Sequence, residues 1–169
     1  MGLLKPPASL PFNITRMGYV VLTSSDLDKT RFFYESGLGL EVMFQDENTL
    51  CLRAIEETCH HSLVFEKTNI KGPGKCRRVG YRMQTDDDIK IACDYFSVRG
   101  DVVRYVERPF QGLTIEVIDG IGVPVEFCSS MNQSRNRMQD FHTHSGGKLA
   151  FLDHIQIACP DVQRAYQWY

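Results

Sequence analysis

Gly18-Tyr-Val-Val-Leu-Thr-Ser-Ser-Asp-Leu-Asp-Lys-Thr-Arg-Phe-Phe-Tyr34 decides the fold, because the chain writes the same pattern twice more. The second copy is Gly80-Tyr-Arg-Met-Gln-Thr-Asp-Asp-Asp-Ile-Lys-Ile-Ala-Cys-Asp-Tyr-Phe96, and the third is Asp153-His-Ile-Gln-Ile-Ala-Cys-Pro-Asp-Val-Gln-Arg-Ala-Tyr-Gln-Trp-Tyr169. Each reads as a short strand, a polar turn with an Asp, and an amphipathic helix. Repetition on this scale fixes the architecture before any local propensity does. Superposing the copies sets Tyr19 and Tyr81 at the position of His154. A side chain suited to a metal stands there only in the third copy.

Working outward, residues 16–22 form the first strand, and Ser25 or Asp26 caps the helix that follows. Leu27, Thr30, Phe33 and Tyr34 recur at helical spacing, and Gly37 and Gly39 end that helix. Strands are expected over 41–45, 49–54 and 61–66. The second unit repeats the order, with a strand over 78–84, a helix over 88–99 stopped by Gly100, and strands over 102–108, 113–118 and 123–128. The class is α+β, with two βαβββ modules over 13–72 and 73–131 joined through Lys71-Gly-Pro-Gly-Lys75. Residues 132–148 are polar and read as a linker. Residues 149–169 open a third unit, the first strand and helix of a second domain. Ile155, Val162, Tyr166 and Trp168 would there lack the partners that a whole unit supplies, so the chain reads as truncated.

Composition bounds the function. The chain has 169 residues, 43% hydrophobic and 24% charged, with a net charge of -2, which gives no reason to expect nucleic acid or an anionic membrane as partner. The six cysteines, at 51, 59, 76, 93, 128 and 159, form no CxxC pair. Most sit in apolar runs as buried thiols do, which points to a reducing cytoplasm. Residues 1–15 lack the apolar stretch of a signal peptide, Pro6 stands where myristoylation needs Ser or Thr, and no apolar run reaches transmembrane length.

Four segments carry a family resemblance: Leu50-Cys-Leu-Arg53, His60-His-Ser-Leu-Val64, Asp119-Gly-Ile-Gly-Val-Pro-Val-Glu-Phe127, and Leu152-Asp-His-Ile-Gln156 leading into Pro160-Asp-Val162. In their order and spacing, from about residue 14 to 169, they resemble the extradiol ring-cleavage dioxygenases of the vicinal oxygen chelate (glyoxalase/bleomycin resistance) superfamily. The resemblance implies strongly curved mixed sheets and four units in two domains. It also implies a non-catalytic N-terminal pair and a C-terminal pair holding Fe(II), in some members Mn(II), through two His and one Glu. The first His matches His154. The other ligands and the acid/base histidine would lie in a fourth unit outside these residues. Such a facial set needs all three donors beside its open positions, so His154 alone should bind little or no metal. The implied activity is extradiol cleavage of a catechol such as 3,4-dihydroxyphenylacetate by dioxygen, in a homo-oligomer, with these 169 residues inactive by themselves. Two other readings stay open: a non-catalytic small-molecule-binding or assembly module of the same fold, and a subunit whose missing half comes from another chain.

The remaining chemistry-bearing residues read as structural. Glu126 stands on the last strand of the second unit, where the superfamily often places a carboxylate ligand, but Tyr19 and Tyr81 are poor companions for a divalent metal. Val64 takes the corresponding place in the first unit. The N-terminal pair is therefore expected to be metal-free. His60 and His61 would face opposite ways on a strand. His142-x-His144 has a zinc-like spacing but only a polar linker around it. Asp86-Asp-Asp88 marks a helix start, where carboxylates meet the amide dipoles. Asp119-Gly-Ile-Gly122 reads as a hairpin turn with no helix after it, so it makes no phosphate cradle.

Overall fold

The computed structural model describes residues 9–169. The expectations about a leader and about Gly2 acylation fall mainly on residues outside these. Eight strands form one sheet in the order β2-β3-β4-β1-β5-β8-β7-β6. They are β1 (Ile14–Ser24), β2 (Glu41–Gln45), β3 (Thr49–Arg53), β4 (Leu63–Lys67), β5 (Cys76–Met83), β6 (Val103–Tyr105), β7 (Thr114–Ile118) and β8 (Pro124–Cys128). β1 runs parallel to β4 and β5 parallel to β8, while β1 and β5 pair antiparallel at the centre. The two βαβββ halves thus meet edge to edge as near copies, in the α+β class that the repeat dictates.

Alternation along the strands sorts the side chains onto two faces. On the outer face, Leu50, Leu52 and Phe65 bury with Leu27 of α1 (Leu27–Arg31). Ile115, Val117, Val125 and Phe127 bury there with Ile89, Ala92 and Phe96 of α2 (Asp86–Arg99). Burying a side chain such as Ile89 or Phe96 contributes about 1.5–3 kcal/mol. On the inner face, Tyr19, Val21, Cys51, Val64 and Cys128 form a separate cluster, beside the buried charges Glu116 and Glu126.

The first helix starts at its expected Asp26 cap, whereas the second starts two residues before the expected Asp88, behind Thr85. Asp26 accepts a hydrogen bond from the Lys29 amide, and Thr85 with Asp88 makes a reciprocal capping box. Asp86 also accepts from Ser129 Oγ, so the triple-Asp segment is a cap and an anchor. Gly100 ends α2 at φ 87°, a left-handed conformation that costs glycine little. The first helix departs from expectation after one turn, continuing as a π-helical turn over Phe32–Gly37.

Three further differences matter for the site. First, Tyr19 and Tyr81 are not equivalent. The β1–β5 pairing shifts register between Met17 and Tyr19 and sets Tyr19 opposite Gly80. Tyr19 therefore faces inward, while Tyr81 packs outward and stacks on Phe127. A slip of one residue exchanges the faces of a strand. Second, residues 149–160 contain no strand. A strand needs a neighbour for its backbone groups, and only the start of this segment finds one: Ile55 N–H donates to Leu149 O at 3.2 Å and Glu56 N–H to Ala150 O at 2.9 Å. Third, α3 (Val162–Trp168) does not leave Trp168 without partners. Its indole stacks on Phe96 at 5.7 Å and donates to Asp101 at 3.3 Å, whereas Val162 and Tyr166 stay exposed.

Candidate functional site

The inner face of the sheet is a trough with a charged floor. Glu126 of β8 is fully buried and accepts a hydrogen bond from the Tyr19 hydroxyl. Arg108 Nε donates to Glu126 Oε1 at 2.6 Å, and Arg108 Nη2 reaches Glu116 Oε2 at 3.1 Å. Arg78 bridges Glu66 at 2.7 Å and lies 3.2 Å from Glu126, the latter a charge contact without hydrogen-bond geometry. Two guanidiniums thus surround the one carboxylate that the sequence put near a metal position. Burial and the adjoining Glu126 charge push the Tyr19 phenol well above its usual range, so it stays protonated and donates.

Gln111 extends this network to the histidines. Its Nε2 lies 3.3 Å from His61 Nε2, and His61 Nδ1 lies 3.0 Å from His60 Nδ1. Each ring nitrogen of His61 therefore has a polar neighbour within hydrogen-bond reach. The two rings do not lie on opposite faces of a strand as expected. They precede β4 in a bend, where strand alternation does not apply. They bond each other and do not converge on an ion.

Burial, then His60 and then Arg78, hold the His61 imidazole down at about 3. Burial followed by Arg53 lowers His60 as well. An unfolded histidine takes up its proton near pH 6.5. The unfolded chain therefore binds a proton that the folded chain refuses until about pH 3. Stability should be full above about pH 6.5 and decline as the pH falls below it. Urea midpoints measured from neutral pH downward should show this decline, and His61→Asn should flatten it; an unchanged slope would contradict a neutral buried His61.

The third-copy residues lie elsewhere. His154 is exposed, with Nδ1 2.9 Å from Asp153 Oδ2. Just before it, Leu152 N–H donates at 3.0 Å to Glu57, a buried carboxylate that also accepts from Ala54 N–H at 2.8 Å and from Ser62 Oγ. His142 and His144 fall in and just after a 3₁₀ turn over Met138–Thr143. Asp119 closes the β7–β8 hairpin by accepting from Ile121 and Val123 amides at 2.9 and 2.7 Å, with Gly122 at φ +90°. Among the described residues, no three His, Cys, Asp or Glu side chains gather to hold a metal. One imidazole does not fit a catalytic iron or manganese ion, which needs three protein donors. All six cysteines are unbridged, and Cys51 and Cys128 are buried. Among the described residues, no helix is long and apolar enough to cross a membrane.

Sequence reasoning missed Arg78, Arg108, Gln111 and Glu57. Arg78 gave a faint signal, as a charge at an inward position of a central strand. The others come from loops whose placement depends on distant pairing.

The paired βαβββ halves around one trough agree with a comparison of sequences. The profile of the Glyoxalase/Bleomycin resistance protein/Dioxygenase superfamily matches residues 16–127. The chain belongs to this superfamily. It is 21% identical over 166 residues to the manganese-dependent 2,3-dihydroxybiphenyl 1,2-dioxygenase of Geobacillus genomosp. 3, covering 92% of this chain and 52% of that protein. Solved homoprotocatechuate 2,3-dioxygenases are also similar. The Arthrobacter globiformis enzyme aligns with TM-score 0.86 at 31% identity, covering 96% of this chain and 51% of that one. The Brevibacterium fuscum enzyme, solved with 3,4-dihydroxyphenylacetate, aligns with TM-score 0.85 at 32% identity, with coverage of 96% and 51%. The chain spans about half the length of these relatives.

Proposed function

We propose that this superfamily member is the N-terminal half of an extradiol catechol dioxygenase. In this reading, residues 13–72 and 73–131 are the paired non-catalytic modules and 132–148 the linker. Residues 149–169 begin the metal-binding domain, and His154 is the first of its ligands. The carrying observation is the match to homoprotocatechuate 2,3-dioxygenases over 96% of this chain but about half of theirs. The Asp153–His154 pair supports the ligand role. A carboxylate on Nδ1 fixes the tautomer and leaves the Nε2 lone pair for a metal, the usual outer partner of a ligating histidine. The substrates are a catechol such as 3,4-dihydroxyphenylacetate and dioxygen, with both oxygen atoms entering the ring-opened product. The metal is Fe(II), with Mn(II) the alternative that the Geobacillus relative's name suggests. The setting is a cytoplasmic homo-oligomer.

Within this chain, the two modules do the structural work. They tie Glu57 to the segment before His154 and so set where that imidazole emerges. Oxygen uptake with 3,4-dihydroxyphenylacetate tests the reading. The polypeptide isolated from its source cells should take up oxygen, and His154→Ala should reduce the rate on the order of 100-fold or more with the fold retained, since even outer partners of a ligand are worth about 10–100-fold. The 169 residues alone should bind less than one Fe(II) and show no uptake. Uptake by these residues that survived His154→Ala would contradict the ligand assignment.

A further inference from the structure

A cavity of about 180 Å³ lies against the first residues of β1. Arg16 of β1 and Arg82 of β5 line it together with Thr58, Cys59 and Gln133, and none of the paired charges Arg78, Arg108, Glu116 and Glu126 does. The β1–β5 register sets Arg16 directly opposite Arg82. Like charges facing each other across antiparallel strands destabilise a sheet, so this pair calls for a counter-ion.

The chain supplies little of one. Arg82 Nη2 donates to the Ser129 carbonyl at 3.0 Å, but its Nε is buried with no hydrogen-bond partner among the described residues. A buried donor left unmet is costly. Arg16 Nε donates to Met17 O at 3.1 Å, and the carboxylate paired with Arg16, that of Glu57, is 3.8 Å away. Glu57 already accepts from the Ala54 and Leu152 amides and the Ser62 hydroxyl. Glu56 and Asp153 border Arg16 in a neighbouring cavity and do not line this one.

Both cationic fields meet at one point. Burial and then Glu57 push the Cys59 thiol up, while Arg16 and Arg82 both pull it down. Gly18 keeps the Arg82 stem in place, because a Cβ there would stand 3.4 Å from Arg82 Cγ and 3.1 Å from Gly80 O. Guanidiniums bind oxyanions through paired N–H donors. The Thr58 hydroxyl and the Gln133 amide add neutral donors on the same wall.

We propose that this cavity is an anion site for a phosphate group, held between Arg16 and Arg82 as the counter-ion of that cross-strand pair. The site stands apart from the dioxygenase reading, since it involves neither a metal nor His154.

Calorimetric and NMR titration of the 169-residue chain with sodium phosphate tests it, at neutral pH and with ionic strength held constant by sodium chloride so that screening does not change. Phosphate should bind at one saturable site with a Kd on the order of 1 mM, the affinity of two or three charge-assisted hydrogen bonds. The Arg82 Nε–H and the Thr58 and Cys59 amide resonances should shift. A parallel titration with glycerol phosphate identifies the source: tighter binding of the ester points to a phosphorylated small molecule, and tighter binding of phosphate to the free ion. Arg82→Met and Arg16→Met keep much of each stem and should weaken phosphate about tenfold or more, while Lys71→Met, exposed between the modules, should not. Circular dichroism on each variant separates lost binding from lost folding, and the Arg82 Nε–H shift in the unaltered chain decides the matter if both arginine variants unfold. No saturation at about tenfold above that Kd, shifts confined to other residues, or folded arginine variants that bind phosphate undiminished would overturn the proposal.

Discussion

Replacing Glu126 by alanine is expected to cost the chain about 3–5 kcal/mol of stability, the cost of removing one partner from a buried ion pair. Glu126 has no exposed surface, and its carboxylate is shared by the Tyr19 hydroxyl, Arg108 and Arg78. Alanine would leave two guanidiniums facing each other across the trough and a buried phenol without its acceptor. Glu126→Gln keeps an acceptor for Tyr19 and should lose less. Urea unfolding followed by circular dichroism checks this. A loss below about 1 kcal/mol for the alanine variant, the range of exposed pairs, would show that water in the trough already replaces these contacts.

Glu57→Ala should have the second largest effect, about 3 kcal/mol, since hydrogen bonds to a charged group contribute about 1.5–3 kcal/mol. The Glu57 side chain is 1% exposed and gathers Ala54 N–H, Ser62 Oγ and Leu152 N–H, with the Arg16 guanidinium 3.8 Å away. The effect should be local as well as global. The Leu152 amide should lose its hydrogen-exchange protection well before the amides of α2 do. Glu57→Gln retains one acceptor oxygen and should protect Leu152 partially. Equal protection of Leu152 in the wild-type and alanine chains would show that the segment before His154 is held by other contacts.

These two carboxylates show where sequence legibility ends. Strands β2, β7 and β8 stand within a residue or so of their expected limits, because alternating apolar side chains and terminal turns report local geometry directly. Helix α2 was legible through its run of three Asp and its Gly100 stop, although the Thr85 cap places its start two residues earlier than expected. Failures arise where a distant partner decides. Residues 102–108 read as one strand, yet only Val103–Tyr105 pairs, because the rest leaves the sheet to carry Phe110 over the trough. Tyr81 looked like the counterpart of Tyr19 until a register shift in β1–β5 turned it to the other face. Residues 153–159 have the pattern of a strand but no neighbour to bond among the described residues. The trough itself was hidden for the same reason, since Tyr19, Arg78, Arg108 and Glu126 come from four separate elements. Glu126 was legible as a residue at a telling position, whereas its arginine partners were not.

The intact mass of the polypeptide in its source cells tests the central claim most directly. If the chain is the N-terminal half of an extradiol dioxygenase, the mass should be roughly twice 19.3 kDa, in line with relatives of which it covers about half. A native mass of 19.3 kDa would contradict that claim and leave His154 without the ligands a catalytic metal requires.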